Sequence, residues 1–172
     1  MNAAAAETVV ALANALQSWR VVHQTGDREA AQWAGHYDQH AQQTLVRPFL
    51  DDLPYWYSRA HLVISRAGAT SLAELACAGC PSLLIPLPGA IYDHQRHNAR
   101  VFSNAGAAGL IEQSRDPAAT ARNLTAATRT LLESARKRDA MRKAMWTLAR
   151  PQAATTVADL ILDALDDQGA ES

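Results

Sequence analysis

The residues with the most chemistry in their types and spacing are Ser65-Arg66-Ala67-Gly68-Ala69-Thr70-Ser71-Leu72-Ala73-Glu74. They follow an apolar run, His61-Leu62-Val63-Ile64, and lead into Leu72, Leu75, Ala76 and Cys77 at helical spacing. That order reads as a buried strand, a loop of small residues and a helix N-terminus. The first N–H groups of a helix have no partner within it, and the helix dipole places partial positive charge at the same end. Such an end attracts a phosphate. Gly68 and Ala69 let a ligand approach the backbone. Glu74, one turn further in, offers a carboxylate to two vicinal hydroxyls, such as those of a ribose. A plainer reading competes: Ser71-Leu72-Ala73-Glu74 has the spacing of a capping box, which satisfies helix N–H groups and does nothing else. Taken alone, the stretch favours the cap; its neighbours shift the balance.

The elements that must position this segment alternate along the chain. Residues 3–18 are Ala-rich, with Val9, Val10, Leu12, Ala13 and Leu16 at helical spacing. Residues 19–24 read as a strand, 25–27 as a turn and 28–40 as a polar helix with few apolar anchors. Residues 44–49 form a second strand with Pro48 near its end, and Asp51-Asp52-Leu53-Pro54 opens a short helix carrying Tyr55, Trp56 and Tyr57. After the third strand and the phosphate-type loop, residues 81–86 form an apolar strand between prolines, and 87–92 a loop. Asp93 begins a helix to about Asn104, and 106–111 is a short last strand. Helices over 117–134, 136–148 and 153–166 complete the chain, broken at Pro151.

Alternating helices and near-continuous apolar strands are the pattern of an α/β parallel sheet covered on both faces. Such sheets bind ligands beyond the carboxyl ends of their strands. The loops at 24–26, 49–52, 65–71 and 86–95 all fall on that edge. One domain is expected over 1–167, with 168–172 as a frayed tail.

Composition narrows the class. The chain has 172 residues, is 48% hydrophobic and carries a formal net charge of −1. There is no basic block, so nucleic-acid binding has no electrostatic footprint. No apolar run approaches the roughly 20 residues of a membrane span. The N-terminus has neither the charged region nor the apolar core of a signal peptide. No cofactor and no metal site are expected.

Cys77 and Cys80 are spaced C-x-x-C. A redox pair normally opens a helix, where the dipole lowers a thiol pKa. Here Cys77 closes one, with Gly79 as the C-cap, and two ligands make only half a zinc site. Both read as packed thiols. His94 and His97 lie three apart, but no third ligand is near, so a solvated or ligand-facing pair outweighs a metal site. His36 and His40 read as surface residues on the polar helix. Tyr55, Trp56 and Tyr57 read as helix packing rather than a stacking platform. Arg136, Lys137, Arg138, Arg142 and Lys143, interspersed with Glu133 and Asp139, read as a solvated face ahead of a lipid-binding one.

Several blocks occur in a characteristic order. These are His23-Gln24-Thr25-Gly26, Pro48-Phe49-Leu50-Asp51-Asp52-Leu53, Ser65-Arg66-Ala67-Gly68-Ala69 with Glu74, residues 78–86, and Asp93-His94-Gln95-Arg96-His97-Asn98-Ala99. Over roughly residues 1–165 the chain resembles the C-terminal half of the MurG family, glycosyltransferase family 28. These bacterial enzymes move GlcNAc from UDP-GlcNAc onto lipid I, making lipid II for the peptidoglycan of the cell wall. The resemblance implies the Rossmann-like C-terminal domain of a GT-B fold and an inverting, metal-independent hexosyltransferase. It implies that the backbone at Leu50 reads the uracil edge. Gly68, Ala69, Thr70 and Ser71 would cradle the diphosphate, and Glu74 would hold the ribose hydroxyls. His94 and Gln95 would contact the GlcNAc hydroxyls, and Asn98 would orient that helix start. His94 is an acceptable variant at a position where the family often has Gln or His. The family's partners are UDP-GlcNAc and a lipid-linked acceptor, on the cytoplasmic face of the inner membrane. The absence of an Asp-x-Asp motif fits departure of UDP stabilised by a helix dipole and backbone N–H groups.

The chain also departs from the family. There, the nucleotide domain opens with a strand ending in Gly-Gly-Ser, whereas Met1 here stands where the following helix begins. The acceptor site, the base and the membrane-facing patch belong to the family's N-terminal half. The chain is therefore expected to lack a central strand and to bind the donor without catalysing transfer alone. The alternatives are a non-catalytic nucleotide-sugar-binding module, a subunit of a split glycosyltransferase, or an inactive fragment. A UDP-GlcNAc epimerase fragment shares the fold, but the Asp93–Ala99 block argues against it.

Overall fold

In chain order the elements are α1 (Asn2–Ala11), β1 (Val21–Gln24), α2 (Ala30–His40), β2 (Thr44–Arg47), α3 (Leu53–Arg59), β3 (Val63–Ser65), α4 (Ala69–Ala78), β4 (Ser82–Leu84), α5 (His94–Asn104), β5 (Ala108–Leu110), α6 (Pro117–Leu132), α7 (Ala135–Leu148) and α8 (Ala153–Ala170). The computed structural model describes residues 1–40, 44–89 and 93–170, without the side chains of 39, 40 and 166–170. Residues 90–92 of the expected 87–92 loop lie outside the described residues, as does the side chain of His40.

Among the described residues every strand pairing is parallel, but the strands make two sheets. β1 pairs with β2, with Val21 opposite Thr44 and Gln24 opposite Arg47. β3, β4 and β5 form the second sheet, with Ile64, Leu83 and Gly109 in line across it. No ladder joins β1 to β3.

The strands of the second sheet are short and apolar because both faces are covered. Along β4 the side chains alternate between two cores. Leu83 joins Ala4, Ile85, Ile111, Ala121, Leu124 and Leu131 under α1 and α6. Leu84 joins Ala67, Leu72, Ala99, Ala107, Ala108 and Met145 under α4, α5 and α7. A third cluster, Ala6, Val9 and Tyr37, packs with Val21, Trp33 and Val46 under α1 and α2.

Helix α1 therefore belongs to both halves: Ala4 packs with the second sheet, and Ala6 and Val9 with the first. Two further contacts bridge them. The Trp19 and His61 rings, just ahead of β1 and β3, meet edge to face at 5.7 Å. At the opposite ends, Asn2 Nδ2 donates to Thr25 O at 2.9 Å, while Arg66, past β3, lines one pocket with Met1 and Asn2. β1 and β3 are each paired on one side only, to β2 and β4.

Several expectations need correction. The first helix ends at Ala11, with Leu12 as its C-cap; residues 12–18 are turns in which Leu16 N reaches Leu12 O and Trp19 N reaches Leu16 O. The buried Leu12 anchors this change of direction. α8 continues to Ala170, so residues 168–170 are helical. His36 is not a surface residue: its ring meets Trp33 at 5.6 Å and Tyr37 at 6.0 Å, because α2 turns that side toward α1. Cys80 is buried, its thiol donates to Tyr57 O, and burial pushes its pKa up to about 11. Cys77 is exposed, since Leu72, Leu75 and Ala76 take the inward side of α4. α3 buries none of its residues; Tyr55 is exposed under the Arg59 guanidinium, 4.1 Å from its ring centroid.

Candidate nucleotide-sugar site

The α4 N-terminus lies at the carboxyl end of β3, where the short strand hands the chain to residues 66–68. Its N-cap is Gly68, in extended conformation and with no side-chain cap hydrogen bond. The capping-box expectation is thereby overturned. Ser71 is the third helical residue rather than the N-cap, so Ser71 and Glu74 cannot make the reciprocal pair. The first-turn N–H groups stand at the positive end of a ten-residue helix. A Cβ on Gly68 would meet nothing within 4 Å, so space lies open in front of this turn. Ala69, Thr70 and Glu74 are exposed and Ser71 is half-buried.

The other end of α4 is tightly fixed. Gly79 closes it at φ +64°, and a Cβ there would lie 2.6 Å from Cε2 of the Trp146 indole. Leu72, Leu75 and Ala76 anchor the inward face. The open N-terminus is thus held by a packed C-terminal half.

Hydrogen bonds lace the neighbouring loops together. Arg66 Nη1 donates to Ile85 O at 3.0 Å, Pro86 O at 3.2 Å and Gln113 Oε1 at 2.7 Å. It ties the exit of β3 to the exits of β4 and β5, and burial lowers its pKa from the ordinary value. Asn98 Nδ2 donates to Ala67 O at 3.3 Å, joining α5 to the loop before α4. Gln95 Oε1 accepts from Leu87 N at 3.0 Å. His94 is the first, exposed residue of α5, behind Asp93 at φ +57°. Arg96 pairs with Glu112 at 2.8 Å.

The first sheet contributes the other wall. Beyond the β1–β2 ladder, Thr25 N donates to Arg47 O and Gly26 N to Pro48 O. This keeps the two exits side by side, and Leu50 N donates to Gln24 Oε1 at 3.0 Å. Deeper in, His23 Nδ1 and Tyr37 Oη are 2.9 Å apart. Burial lowers the pKa of His23 against the opposing charge of Glu29, and burial raises that of Tyr37. Met1, Asn2, Ala3, Glu29, Gln32, Trp33 and Arg66 line an open pocket of about 450 Å³, which none of the residues assigned above to a ligand lines.

The structure thus joins Asn98 to the loop before α4 at Ala67, while Gln95 is bonded to Leu87 and Leu50 to Gln24. Sequence reasoning gave no role to Arg66, Gln24 or Gln113. The first two stand in the blocks that carry the family resemblance, which was the available signal; Gln113 had none. Among the described residues, no group of three or more His, Cys, Asp or Glu is placed to hold a metal ion. Among them, too, no helix is long and apolar enough to cross a membrane.

A parallel α/β domain with an uncapped helix N-terminus at its carboxyl edge has the geometry that suits a phosphate-bearing ligand. The glycosyltransferase family 28 C-terminal domain matches residues 1–160, and the chain belongs to that family. It is 40% identical over 143 residues to the UDP-N-acetylglucosamine–N-acetylmuramyl-(pentapeptide) pyrophosphoryl-undecaprenol N-acetylglucosamine transferase of Pseudomonas putida strain W619, covering 83% of this chain and 39% of that protein. It is 42% identical over 174 residues to the protein of the same name from Nitratidesulfovibrio vulgaris, covering 95% of this chain and 45% of that one. The crystal structure of Acinetobacter baumannii MurG superposes with a TM-score of 0.70 at 30% identity, over 92% of this chain and 48% of that one. The chain therefore spans less than half the length of these relatives.

Proposed function

We propose that this chain is the donor-binding half of a GlcNAc transferase that takes GlcNAc from UDP-GlcNAc to a lipid-linked acceptor, converting lipid I to lipid II in peptidoglycan synthesis. The observation that carries this reading is the uncapped N-terminus of α4 at the sheet's carboxyl edge, in a chain of this family. Leu50 reads the uracil edge through its backbone. The N–H groups at Gly68, Ala69, Thr70 and Ser71 take the diphosphate, and Glu74 takes the ribose diol. His94 and Gln95 face the sugar, and Asn98 holds the α5 start against Ala67.

As the glycosidic bond breaks, charge grows on the departing UDP. Preorganised N–H groups and the α4 dipole stabilise that charge. The acceptor pocket and the base belong to the other half of the enzyme, which works at the cytoplasmic face of the inner membrane as a peripheral protein.

Calorimetric titration with UDP, UDP-GlcNAc and ADP tests the reading. UDP and UDP-GlcNAc are expected to bind and ADP to bind far more weakly. The UDP affinity is expected to stay within about twofold between EDTA and excess magnesium, because the helix terminus supplies the counter-charge. Absence of UDP binding would refute the donor role.

A further inference from the structure

Gln24 has no ligand role in the reading above, yet its side chain occupies one of that site's main groups. It is the last residue of β1, exposed at the carboxyl edge. Its Oε1 accepts from Leu50 N at 3.0 Å, across 26 positions of sequence. Leu50 lies beyond the end of β2 and before the Asp52 cap of α3, so its N–H belongs to neither ladder nor helix. The pairs Thr25–Arg47 and Gly26–Pro48 hold the two chain exits in register beneath this bond. The carbon skeleton of Gln24 is therefore fixed at its base, while its amide end stands at the exposed rim.

The chemistry of the two competitors is alike. A carboxamide carries a carbonyl acceptor beside an N–H donor. The edge of uracil carries the same pair at C4=O and N3–H. One backbone N–H makes one strong, linear hydrogen bond, so it cannot serve both acceptors. Gln95 gives the same side-chain cover to Leu87 N, at 3.0 Å, on the opposite wall.

We propose that Gln24 sets base specificity by acting as an internal competitor for the base: its carboxamide holds Leu50 N–H, and only a base with a carbonyl acceptor at that place displaces it. This rests on the donor-binding reading. A cytosine offers an amino donor where uracil has the carbonyl, so it cannot repay the loss of the Gln24 bond and leaves that bond in place. Gln24 is a positioning residue in this account and touches no reacting atom.

Titrations of UDP and CDP against Gln24→Ala, Gln24→Asn and Gln24→Glu test it. Removing the competitor by Gln24→Ala is expected to tighten UDP by about three- to tenfold, the span of one net hydrogen bond, and to leave CDP unchanged. Gln24→Asn, too short to reach Leu50, should act in the same direction. Gln24→Glu puts a charged acceptor on the same N–H and should weaken UDP. The Leu50 amide resonance should move on Gln24→Ala and again when UDP is added. Weaker UDP binding by Gln24→Ala and Gln24→Asn would make Gln24 a direct ligand contact and overturn the proposal. Equal UDP affinity in all forms would overturn it too, while leaving the donor-binding reading standing. Failure of the wild-type chain to bind UDP would bring down that reading and this one together.

Discussion

Asn98 donates its side-chain N–H to the carbonyl oxygen of Ala67, 3.3 Å away and 31 positions earlier in the chain. Ala67 is fully buried, and Gly68, the N-cap of α4, follows it directly. One amide on α5 thus sets where the first turn of α4 points.

The first prediction follows from that bond. Asn98→Ala leaves Ala67 O without its partner and frees the loop before α4. A loss of about 0.5–1.5 kcal/mol is expected, the usual net worth of such a bond. It should appear as a severalfold weaker UDP affinity by calorimetry, with the circular dichroism spectrum unchanged. Unaltered affinity would show that the loop is held by Arg66 alone.

Glu74 is exposed in the second turn of α4 and makes no cap. Glu74→Gln therefore removes a charged acceptor without removing a structural contact. UDP binding should weaken by about 1.5–3 kcal/mol, the range for hydrogen bonds to charged groups, with the helix content intact. The penalty should vanish for a UDP analogue lacking both ribose hydroxyls. A variant that binds UDP as tightly as the wild type would leave Glu74 as a solvated side chain.

His23 makes stability depend on pH. Burial holds its pKa below the ordinary 6.5, with Tyr37 Oη 2.9 Å from Nδ1. The unfolded chain therefore binds the proton more readily than the folded one. This contribution to stability is fully present above pH 6.5 and is lost as pH falls through the lower, folded value. The urea midpoint should hold above about pH 6.5, the free imidazole value, and drop as pH falls below it. In His23→Gln, which cannot titrate, the drop should be shallower. An equal slope in both proteins would assign the effect to other groups.

The unpaired edges of β1 and β3 predict a stability gain. A version extended upstream of Met1 by a short apolar strand and a Gly-Gly-Ser loop should unfold at a higher denaturant midpoint. Each buried backbone group given a partner removes a penalty of about 1–3 kcal/mol, and a whole domain is stable by only about 5–15 kcal/mol. Equal midpoints for both versions would show that α1 and the Trp19–His61 contact close the structure without that strand.

The element order was legible because local signals agreed. Pro54 and Pro117 stand in the first turns of their helices, Gly79 has the left-handed cap expected of it, and the strand at 82–84 is wholly buried. These depend on neighbours in sequence, which is what a sequence displays. The ends of α1 and α8 were not legible, because nothing local marks them: Leu12 caps α1 without a Gly or Pro nearby, and no breaker stops α8 at Asp167.

The site divides along the same line. Its residue types were set by the sequence: small residues at 67–69, a carboxylate at 74, and amides at 95 and 98. Whether Ser71 caps α4 was decided only by where the helix starts, which depends on how β3 ends and where Asn98 holds Ala67. The pairing of Gln24 with Leu50 and of Arg66 with Ile85, Pro86 and Gln113 joins residues 19 to 47 positions apart. No periodicity or spacing encodes such contacts. They exist because parallel strands bring the chain back to the same edge at every exit, and only the assembled sheets determine which exits become neighbours.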